Sequence, residues 1–393
     1  MSALDFSTKI GSKRFSNPIF TASGCASSGS ELAQFFPLTD IGAIVTKSIM
    51  TKARTGRMTP RMAETPSGML NSIGLQGPGI DVFLEKDIPW LVSQQAKIIV
   101  SIAGETVDEY GVLARRLRAV SGISAVEVNI SCPNVENRGQ VFACHPDTAV
   151  AVIESVRRNI GGELPIIAKL SPDVTDITEI AGAVINAGVD GLALINTLLG
   201  MVIDTNTMKP KLAGKTGGLS GPAIRPVAVR AIYQVHQAFP NTPIVGMGGV
   251  ASGRDALELI LAGASAVSVG TATFGDPTAV SGWQAKTCPL FSTFGHEIFT
   301  STALIPETAL NLRANTPYSS TVSPAIETII CACWETNQGI SLSKKTSIPG
   351  PCNPIELSIP LGVSAILGVI RPVLAFVIID FVTIAPISVS GKN

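Results

Sequence analysis

The sequence predicts an α/β fold in which eight parallel strands close into a barrel. Eight short apolar runs, rich in valine, isoleucine or alanine, recur through the first 272 residues. Several lack the apolar/polar alternation of a half-exposed strand, as expected for strands buried on both faces of a parallel sheet. Almost every run also stops on a polar or glycine residue, and the carboxyl ends of barrel strands are where such folds carry their active sites.

The predicted elements follow one another in regular order. Strands are predicted at residues 18–23, 43–48, 98–101, 125–132, 166–171, 192–197, 244–249 and 266–271. The intervening stretches are long enough for crossover helices, such as residues 147–159, 176–187, 224–239 and 252–261. Eight such units make a (β/α)8 or TIM barrel, whose polar strand ends converge on one mouth. The sequence after residue 271 offers no convincing eighth helix.

The chain divides into two predicted parts. Residues 1–280 have the composition of an enzyme barrel, whereas residues 281–393 form an atypical tail that is poor in charge, is interrupted by prolines and holds four of the seven cysteines. The apolar stretch 354–390 within this tail contains Arg371 and Asp380, and its best uncharged window is short for a membrane span. A membrane-associated tail and an unrelated or out-of-frame extension both remain open.

Composition argues against several classes of function for the barrel. Basic and acidic residues number 29 each, so no net charge favours nucleic acid or an anionic membrane surface. The amino-terminal residues form no continuous apolar segment, so no signal peptide is expected and the cytoplasm is the predicted location. Cys25, Cys132 and Cys144 show no paired or CxxC spacing, which argues against a disulfide framework or a structural zinc site.

The strand at 125–132 delivers Asn129 and then Cys132 into a turn that Pro133 stiffens. A lone cysteine is more often a buried structural residue, but this one follows a strand end on the predicted active face. A thiol there can act as a base or a nucleophile if its pKa is lowered or its loop closes. No histidine adjacent in sequence supports a protease-like Cys/His pair.

Glycines at the ends of the last two strands predict an anion site. Gly246, Gly248 and Gly249 precede a helix that starts near Ser252, and a second glycine-bearing end is Gly270 with Thr271. Such glycines let backbone amides approach an anion closely. The loops after strands seven and eight are the usual phosphate site of this barrel, so a phosphorylated cofactor is expected.

Two lysines, Lys47 and Lys169, also lie at strand ends. A solvated surface position is the ordinary explanation, because a buried lysine is costly without an anionic partner. The functional alternative is that they face a substrate carboxylate or an electron-rich ring. Neutral polar residues accompany them, and a ring of asparagines suits a planar amide-containing ligand: Asn71, Ser72, Asn129, Asn196 and Thr197. The set lacks a metal signature.

Over residues 4–280 the chain resembles the class 1 dihydroorotate dehydrogenases, and most closely their class 1B catalytic subunit. The resemblance is carried by TASG at 21–24, TKS at 46–48, the loop NSIGLQ at 71–76, NISCPN at 129–134, AKLSP at 168–172, INT at 195–197, GGLSGPAIRP at 217–226 and GMGGVASGRDA at 246–256. A cysteine rather than a serine at 132 also sets the chain apart from class 2.

The resemblance implies a reaction and a set of site residues. Cys132 would remove the C5 proton of dihydroorotate, and FMN would take the C6 hydride to yield orotate. Substrate would be held by Lys47, Asn71, Ser72, Ile73, Gly74, Leu75, Asn129, Asn196 and Thr197. FMN would be held by Ser23, Lys47, Ser48, Ser101, Asn129, Lys169, Ile195, Gly221, Gly248, Gly249, Gly270 and Thr271, the last four near its phosphate. Lys169 would lie against the N1/C2 side of the flavin.

The resemblance also implies partners. A homodimer is expected, and in class 1B it joins a second subunit, with FAD and an iron–sulfur cluster, in a heterotetramer that passes electrons to NAD. Two other readings stay open at this stage. One is a related FMN barrel acting on another pyrimidine, and the other is a non-catalytic product of a disrupted carboxyl terminus.

Overall fold

The computed structural model describes residues 6–130 and 142–281. In chain order its strands are β1 (Thr8–Ile10), β2 (Lys13–Phe15), β3 (Ile19–Thr21), β4 (Ile44–Val45), β5 (Met62–Thr65), β6 (Gly68–Asn71), β7 (Ile98–Ile102), β8 (Ile123–Asn129), β9 (Ile166–Lys169), β10 (Gly191–Leu194), β11 (Leu198–Met201), β12 (Ile203–Asp204), β13 (Lys209–Pro210), β14 (Thr216–Ser220), β15 (Ile244–Met247) and β16 (Ala266–Val269). The α-helices are α1 (Ile80–Val82), α2 (Ile88–Ser93), α3 (Val107–Leu117), α4 (Pro146–Ile160), α5 (Ile177–Asn186), α6 (Arg225–Ala238) and α7 (Gly253–Leu261), and a π-helical segment, Phe83–Asp87, joins α1 to α2.

Eight parallel strands form the barrel. They are hydrogen-bonded in the order β3, β16, β15, β10, β9, β8, β7 and β4. The ring closes between β3 and β4, where Phe20 and Ala43 form a parallel bridge and the amide of Thr21 donates to the carbonyl of Ala43 at 3.1 Å. Each of the eight apolar runs predicted from the sequence overlaps one of these strands, so the predicted (β/α)8 barrel is confirmed.

Helices cover the outside of the barrel. The four helices predicted from the sequence correspond to α4, α5, α6 and α7. Three helices begin at a capping side chain, since Thr106, Asp176 and Ser252 each accept a hydrogen bond from an amide of the first turn. Among the described residues, no helix combines the length and apolar character needed to cross a membrane.

The covering of the last strand begins within the described residues. After β16 comes a short 3-10 helix, Thr271–Phe274, and a helical turn starts at residue 279. Ala279 and Val280 in that turn are buried in the core. A helical turn therefore follows β16 within the described residues, where the sequence offered no convincing eighth helix. All of the predicted tail beyond residue 281 lies outside the described residues, so its boundary and both explanations of it stay predictions.

A hairpin closes the amino-terminal end of the barrel. In it, β1 pairs with β2, and Ile10 and Phe15 are fully buried against the inward-facing residues of the barrel strands. The rings of Phe15 and Phe20 lie 5.0 Å apart between centroids. Room for them comes from small side chains at the inward positions of four strands, namely Ala43, Ala125, Ala193 and Ala266. Large and small residues thus fill the interior together.

A four-stranded antiparallel sheet stands beside the mouth, and the sequence analysis did not predict it. Its order is β11, β14, β6, β5, and its strands come from the connections that follow β4 and β10. Each has only four or five residues, and β5 alternates between exposed and half-buried positions without a buried apolar face. The sheet matters for the site because β6 ends at Asn71, which lies opposite Gly218 of β14.

We expect Phe15→Ala to destabilise the barrel strongly. Truncating a fully buried phenylalanine costs about 3–5 kcal/mol, because the transfer energy is lost and a cavity is left. The matched control is Phe35→Ala, since Phe35 is 56% exposed and should change stability by about 0.5 kcal/mol or less. Urea denaturation followed by circular dichroism measures both. Equal midpoints for the two variants would show that the hairpin is not part of the core.

Candidate active site

A cavity of about 540 Å³ opens at the carboxyl ends of the barrel strands. This is the end at which (β/α)8 barrels carry their active sites. Most residues proposed from the sequence line it: Ser23, Lys47, Ser48, Asn71, Ile73, Gly74, Leu75, Asn129, Lys169, Ile195, Asn196, Thr197, Gly221, Gly248, Gly249, Gly270 and Thr271. The fold therefore gathers side chains that are up to 248 positions apart in sequence, as between Ser23 and Thr271.

The floor of the cavity is a polar layer of the barrel interior. Successive side chains of a strand point to opposite faces, so every second residue faces inward. One inward layer is apolar and consists of Val45, Ile99, Ala125, Ile167, Val245 and Ala266. Two residues further along the same strands come mostly polar side chains, with Met247 as the apolar exception: Lys47, Ser101, Glu127, Lys169, Met247 and Ser268. The interior thus changes from apolar to polar within one strand repeat.

A chain of hydrogen bonds runs through this polar layer. The hydroxyls of Ser23 and Ser48 lie 3.3 Å apart, those of Ser48 and Ser101 lie 2.9 Å apart, and Ser101 Oγ donates to Glu127 Oε1 at 2.9 Å. The Asn129 amide donates to Ser48 Oγ at 3.0 Å. Buried polar groups are costly unless they are bonded in this way, so the network holds these side chains in defined positions.

Lys169 lies beside a buried carboxylate. Its Nζ atom is 4.0 Å from Glu127 Oε1, and the two side chains are 6% and 3% exposed. Lys169 lines the cavity, whereas Glu127 lies below it and does not. The solvated-surface explanation of Lys169 is therefore wrong, and the anionic partner that a buried lysine requires is a residue of the neighbouring strand β8.

Three glycine-bearing loops line one side of the cavity. Gly221, Gly248 and Gly249 have positive φ angles of 90°, 127° and 73°. A Cβ atom on Gly249 would lie 2.9 Å from the backbone nitrogen of Arg225, and one on Gly270 would lie 3.2 Å from Cys25 Sγ. Glycine is therefore required for these loops to pack this closely, and without side chains on them backbone amides can approach a bound group. The loops suit a phosphate or another anion.

Amide side chains and one backbone loop line the side opposite. Asn196 Nδ2 donates to Asn129 Oδ1 at 3.3 Å, and Asn71 Nδ2 donates to the carbonyl of Gly218 at 3.4 Å. The loop after β6 turns sharply at Gly74 and Leu75, whose φ angles are 78° and 54°. A planar ligand with amide groups would find both donors and acceptors here.

Three residues proposed from the sequence are not in the cavity lining. Ser72 is fully buried, its backbone amide donates to the carbonyl of Arg61 at 2.8 Å, and its hydroxyl has no hydrogen-bond partner among the described residues. Ser101 is also fully buried and contacts the cavity through Ser48. Cys132, with the rest of residues 131–141, lies outside the described residues, so its role stays a prediction.

Several site residues were missed by sequence reasoning. Glu127 and Ser268 lie in apolar runs, and only the alternation of the strand would have placed them inward. Cys25 lines the cavity; burial raises the pKa of its thiol, and the charges of Lys169 and Lys47 partly oppose that rise. Tyr110 donates to the carbonyl of Asn129 at 2.8 Å and supports the end of β8. Among the described residues no group of three or more histidine, cysteine or acidic side chains could hold a metal ion.

Comparison with known proteins decides the family. A family model described as dihydroorotate dehydrogenase matches residues 5–285. The chain belongs to the dihydroorotate dehydrogenase family. It is 52% identical over 276 residues to the dihydroorotate dehydrogenase B (NAD(+)) catalytic subunit of Desulforamulus reducens, covering 70% of this chain and 90% of that protein. It is 49% identical over 275 residues to the same-named subunit of Geobacter sp. (strain M21), covering 70% and 89%. The resemblance inferred from the motifs is confirmed.

Dihydroorotate dehydrogenases are flavin-dependent oxidoreductases, and the residues of this cavity fit a flavin. The glycine loops bring backbone amides to the cavity in conformations that leave no room for a Cβ atom against Ala228 or Arg225. Lys169 places a buried cation in the floor, and such a cation would stabilise the negative charge that a flavin acquires on reduction. The hydroxyl of Ser268 is buried, lines the cavity and has no hydrogen-bond partner among the described residues. A bound polar ring would supply one.

Gly249→Ala should weaken flavin retention. Alanine is strained at a φ of 73°, by about 1–2 kcal/mol, and its Cβ atom would press on the backbone of Arg225. We expect the dissociation constant for flavin to rise about tenfold or more, since each 1.4 kcal/mol is a factor of ten. Quenching of flavin fluorescence measures it.

The matched control is Gly162→Ala. Gly162 is exposed, and a Cβ atom there would meet nothing within 4 Å. This variant should bind flavin like the unmodified protein. If both variants retain flavin equally well, the loop after β15 is not part of the cofactor site.

Proposed function

We propose that this chain oxidises dihydroorotate to orotate in de novo pyrimidine biosynthesis, with FMN as its cofactor. The observation that carries the proposal is the cavity floor, where the buried cation Lys169 lies among the amide side chains of Asn129 and Asn196 and beside the glycine loops. A phosphorylated, electron-accepting ring and a planar, amide-containing substrate suit these two sides of one cavity. The relatives at about 50% identity support the same reaction.

The residues that would hold FMN fall into two groups. Gly248, Gly249, Gly270 and Thr271 would offer the phosphate a cradle of backbone amides and one hydroxyl, and Gly221 lies next to Gly249. The ring would lie over the polar layer and contact Ser23, Lys47, Ser48, Asn129, Lys169 and Ile195. Ser101 acts through Ser48, to which it is hydrogen-bonded. When bound, FMN supplies the acceptor for the C6 hydride of the substrate.

Substrate recognition rests on charge and on amide pairing. Dihydroorotate carries a carboxylate, which the ammonium group of Lys47 can pair with inside a cavity that excludes most water. The ring of the substrate has amide N–H and C=O groups, which the side chains of Asn71, Asn129 and Asn196 can both accept from and donate to. Thr197 and the loop 72–75 would complete the enclosure.

Proton removal is assigned to Cys132. In the sequence this residue follows the end of β8 at Asn129 by three positions, and the family resemblance assigns it the role of base. The thiolate would take the C5 proton, and the electron pair of that C–H bond would become part of the C5=C6 double bond as hydride leaves C6. A thiol at this position with its pKa lowered towards neutrality would be partly ionised, and it could then act as the base at neutral pH.

A related barrel acting on another pyrimidine is the weaker proposal. Uracil-type rings carry no carboxylate, so they would not offer Lys47 the ion pair that dihydroorotate offers. A non-catalytic product is also disfavoured, because the described strands form a closed ring around an intact cavity. Both alternatives run against the relatives named above.

A partner subunit belongs to the proposal. The relatives are named as catalytic subunits of an NAD(+) enzyme. By analogy, two copies of this chain would form a dimer and join electron-transfer subunits that carry FAD and an iron–sulfur cluster and reduce NAD. The predicted cytoplasmic location fits such an assembly. Co-purification of a yellow-brown partner with the tagged chain tests it.

The function is tested by anaerobic mixing with substrate. The purified protein should be yellow, and dihydroorotate should bleach its flavin absorbance with one orotate formed per flavin. Dihydrouracil is the matched control, since it lacks only the carboxylate, and should bleach the flavin far more slowly. Equal rates would favour the alternative pyrimidine, and a chain that binds no flavin would favour the non-catalytic product.

Cys132→Ser should lose turnover while it still binds FMN and orotate. A hydroxyl is a much weaker base than a thiolate, and removing such a group typically costs about 100-fold to 10,000-fold. Part of the activity should return at high pH. Cys144→Ser is the control, because Cys144 is not in the cavity lining. Steady-state rates from pH 6 to 10 give both results, and unchanged turnover in the Cys132 variant would remove it from the mechanism.

A further inference from the structure

Glu127 is a buried acid that the proposed reaction does not use. It is 2% exposed and lies on β8 between two other inward-facing residues, Ala125 and Asn129. A carboxylate in such a place is costly unless it is paired and hydrogen-bonded. It meets both conditions, because Ser101 Oγ donates to it at 2.9 Å and Lys169 Nζ lies 4.0 Å away.

Glu127 fixes which groups donate and which accept along the hydrogen-bond chain. An ionised carboxylate only accepts, so the single hydroxyl proton of Ser101 is committed to it. Ser101 must then accept from Ser48, and Ser48 in turn accepts from Ser23 and from the Asn129 amide. The cavity-lining hydroxyls of Ser23 and Ser48 are therefore oriented towards the acid below them.

The charge of Glu127 also lies close to the cavity, because its neighbour Lys169 is in the lining. Lys169 is in the lining, and Glu127 is one contact further from it, in an interior where apolar side chains form the next layer. Charges in such surroundings are screened far less than charges in water. Any negative charge that develops on a bound ring will therefore interact electrostatically with Glu127 as well as with Lys169.

We infer that Glu127 is a positioning residue that holds Lys169 and offsets part of its charge, so that it lowers the reduction potential of the flavin. The inference rests on the proposed flavin site and deepens it. A lysine acting alone would stabilise the reduced, anionic ring most strongly. The paired acid moderates that effect, which makes the reduced flavin a better electron donor to the next acceptor.

Glu127→Gln removes the negative charge of the side chain but keeps its size, so it separates the effect of charge from that of packing. Glutamine has the same shape, and its carbonyl oxygen still accepts from Ser101. The midpoint potential of bound FMN, measured by dye-coupled titration, should shift to a more positive value. Glu154→Gln is the control, since Glu154 is 53% exposed on α4 and its charge is screened by water. An unchanged or lower potential in Glu127→Gln would overturn the inference.

A second pair of variants covers the case in which Glu127→Gln folds poorly. Lys169→Met leaves an acid without its counter-charge and should lower the potential, whereas Lys169→Met with Glu127→Gln should bring it back towards that of the unmodified protein. If adding the second substitution does not raise the potential, the acid has no electrostatic role.

Flavin-free protein provides a readout that does not depend on the proposed function. Removing one member of a buried ion pair should lower the unfolding midpoint more than removing both, because a single member leaves a buried charge unpaired. Additive losses would contradict the pairing. If dihydroorotate proves not to be the substrate, the potentials still test Glu127, and if no flavin binds, the unfolding midpoints still do.

Discussion

The site depends on one constraint, which is the change from an apolar to a polar interior between successive inward layers of the barrel. Moving two residues along the strands replaces Ile167 by Lys169 and Ala125 by Glu127. Each charge alone would be expensive to bury, by several kcal/mol. At 4.0 Å their attraction is about 4 kcal/mol in an effective dielectric near 20. The lysine can therefore stay in the floor only because the acid is there.

The neighbouring hydroxyls make this arrangement specific. A buried ion pair adds little net stability compared with apolar residues of the same volume, so stability does not explain why Lys169 and Glu127 are there. What the network of Ser48, Ser101 and Asn129 achieves is a fixed arrangement of donors and acceptors under the cavity. Preorganised polar groups of this kind need no rearrangement when charge develops on a bound molecule. The residues that are costly to bury, Lys169 and Glu127, are thus the ones that act on charge in the cavity.

Much of this could be predicted from the sequence, and the failures have physical reasons. The barrel strands were predictable because burial on both faces leaves apolar runs, and Lys169 and Asn129 stood out because they end such runs. Glu127 did not stand out, since a run buried on both faces gives no sign of which side faces inward. Ser72 was placed in the site as one of several polar residues and Ser101 by resemblance to a family, but their contacts depend on neighbours that sequence spacing does not reveal. The antiparallel sheet was missed because strands of four residues, half exposed, carry almost no pattern.

The hairpin at the opposite end of the barrel bears on the chemistry as well. Phe15 and Phe20 fill the amino-terminal end, and the alanines around them leave space for both rings. Because this packing is apolar and dense, the next inward residues beneath Glu127 and Lys169 on their own strands, Ala125 and Ile167, belong to an apolar cluster. The field of the pair is therefore weakened mainly from the side of the mouth, where the cofactor would lie and displace water. The hairpin thus keeps the dielectric low around Glu127 and Lys169. A change in its packing would alter the electrostatics of the site as well as the stability of the fold.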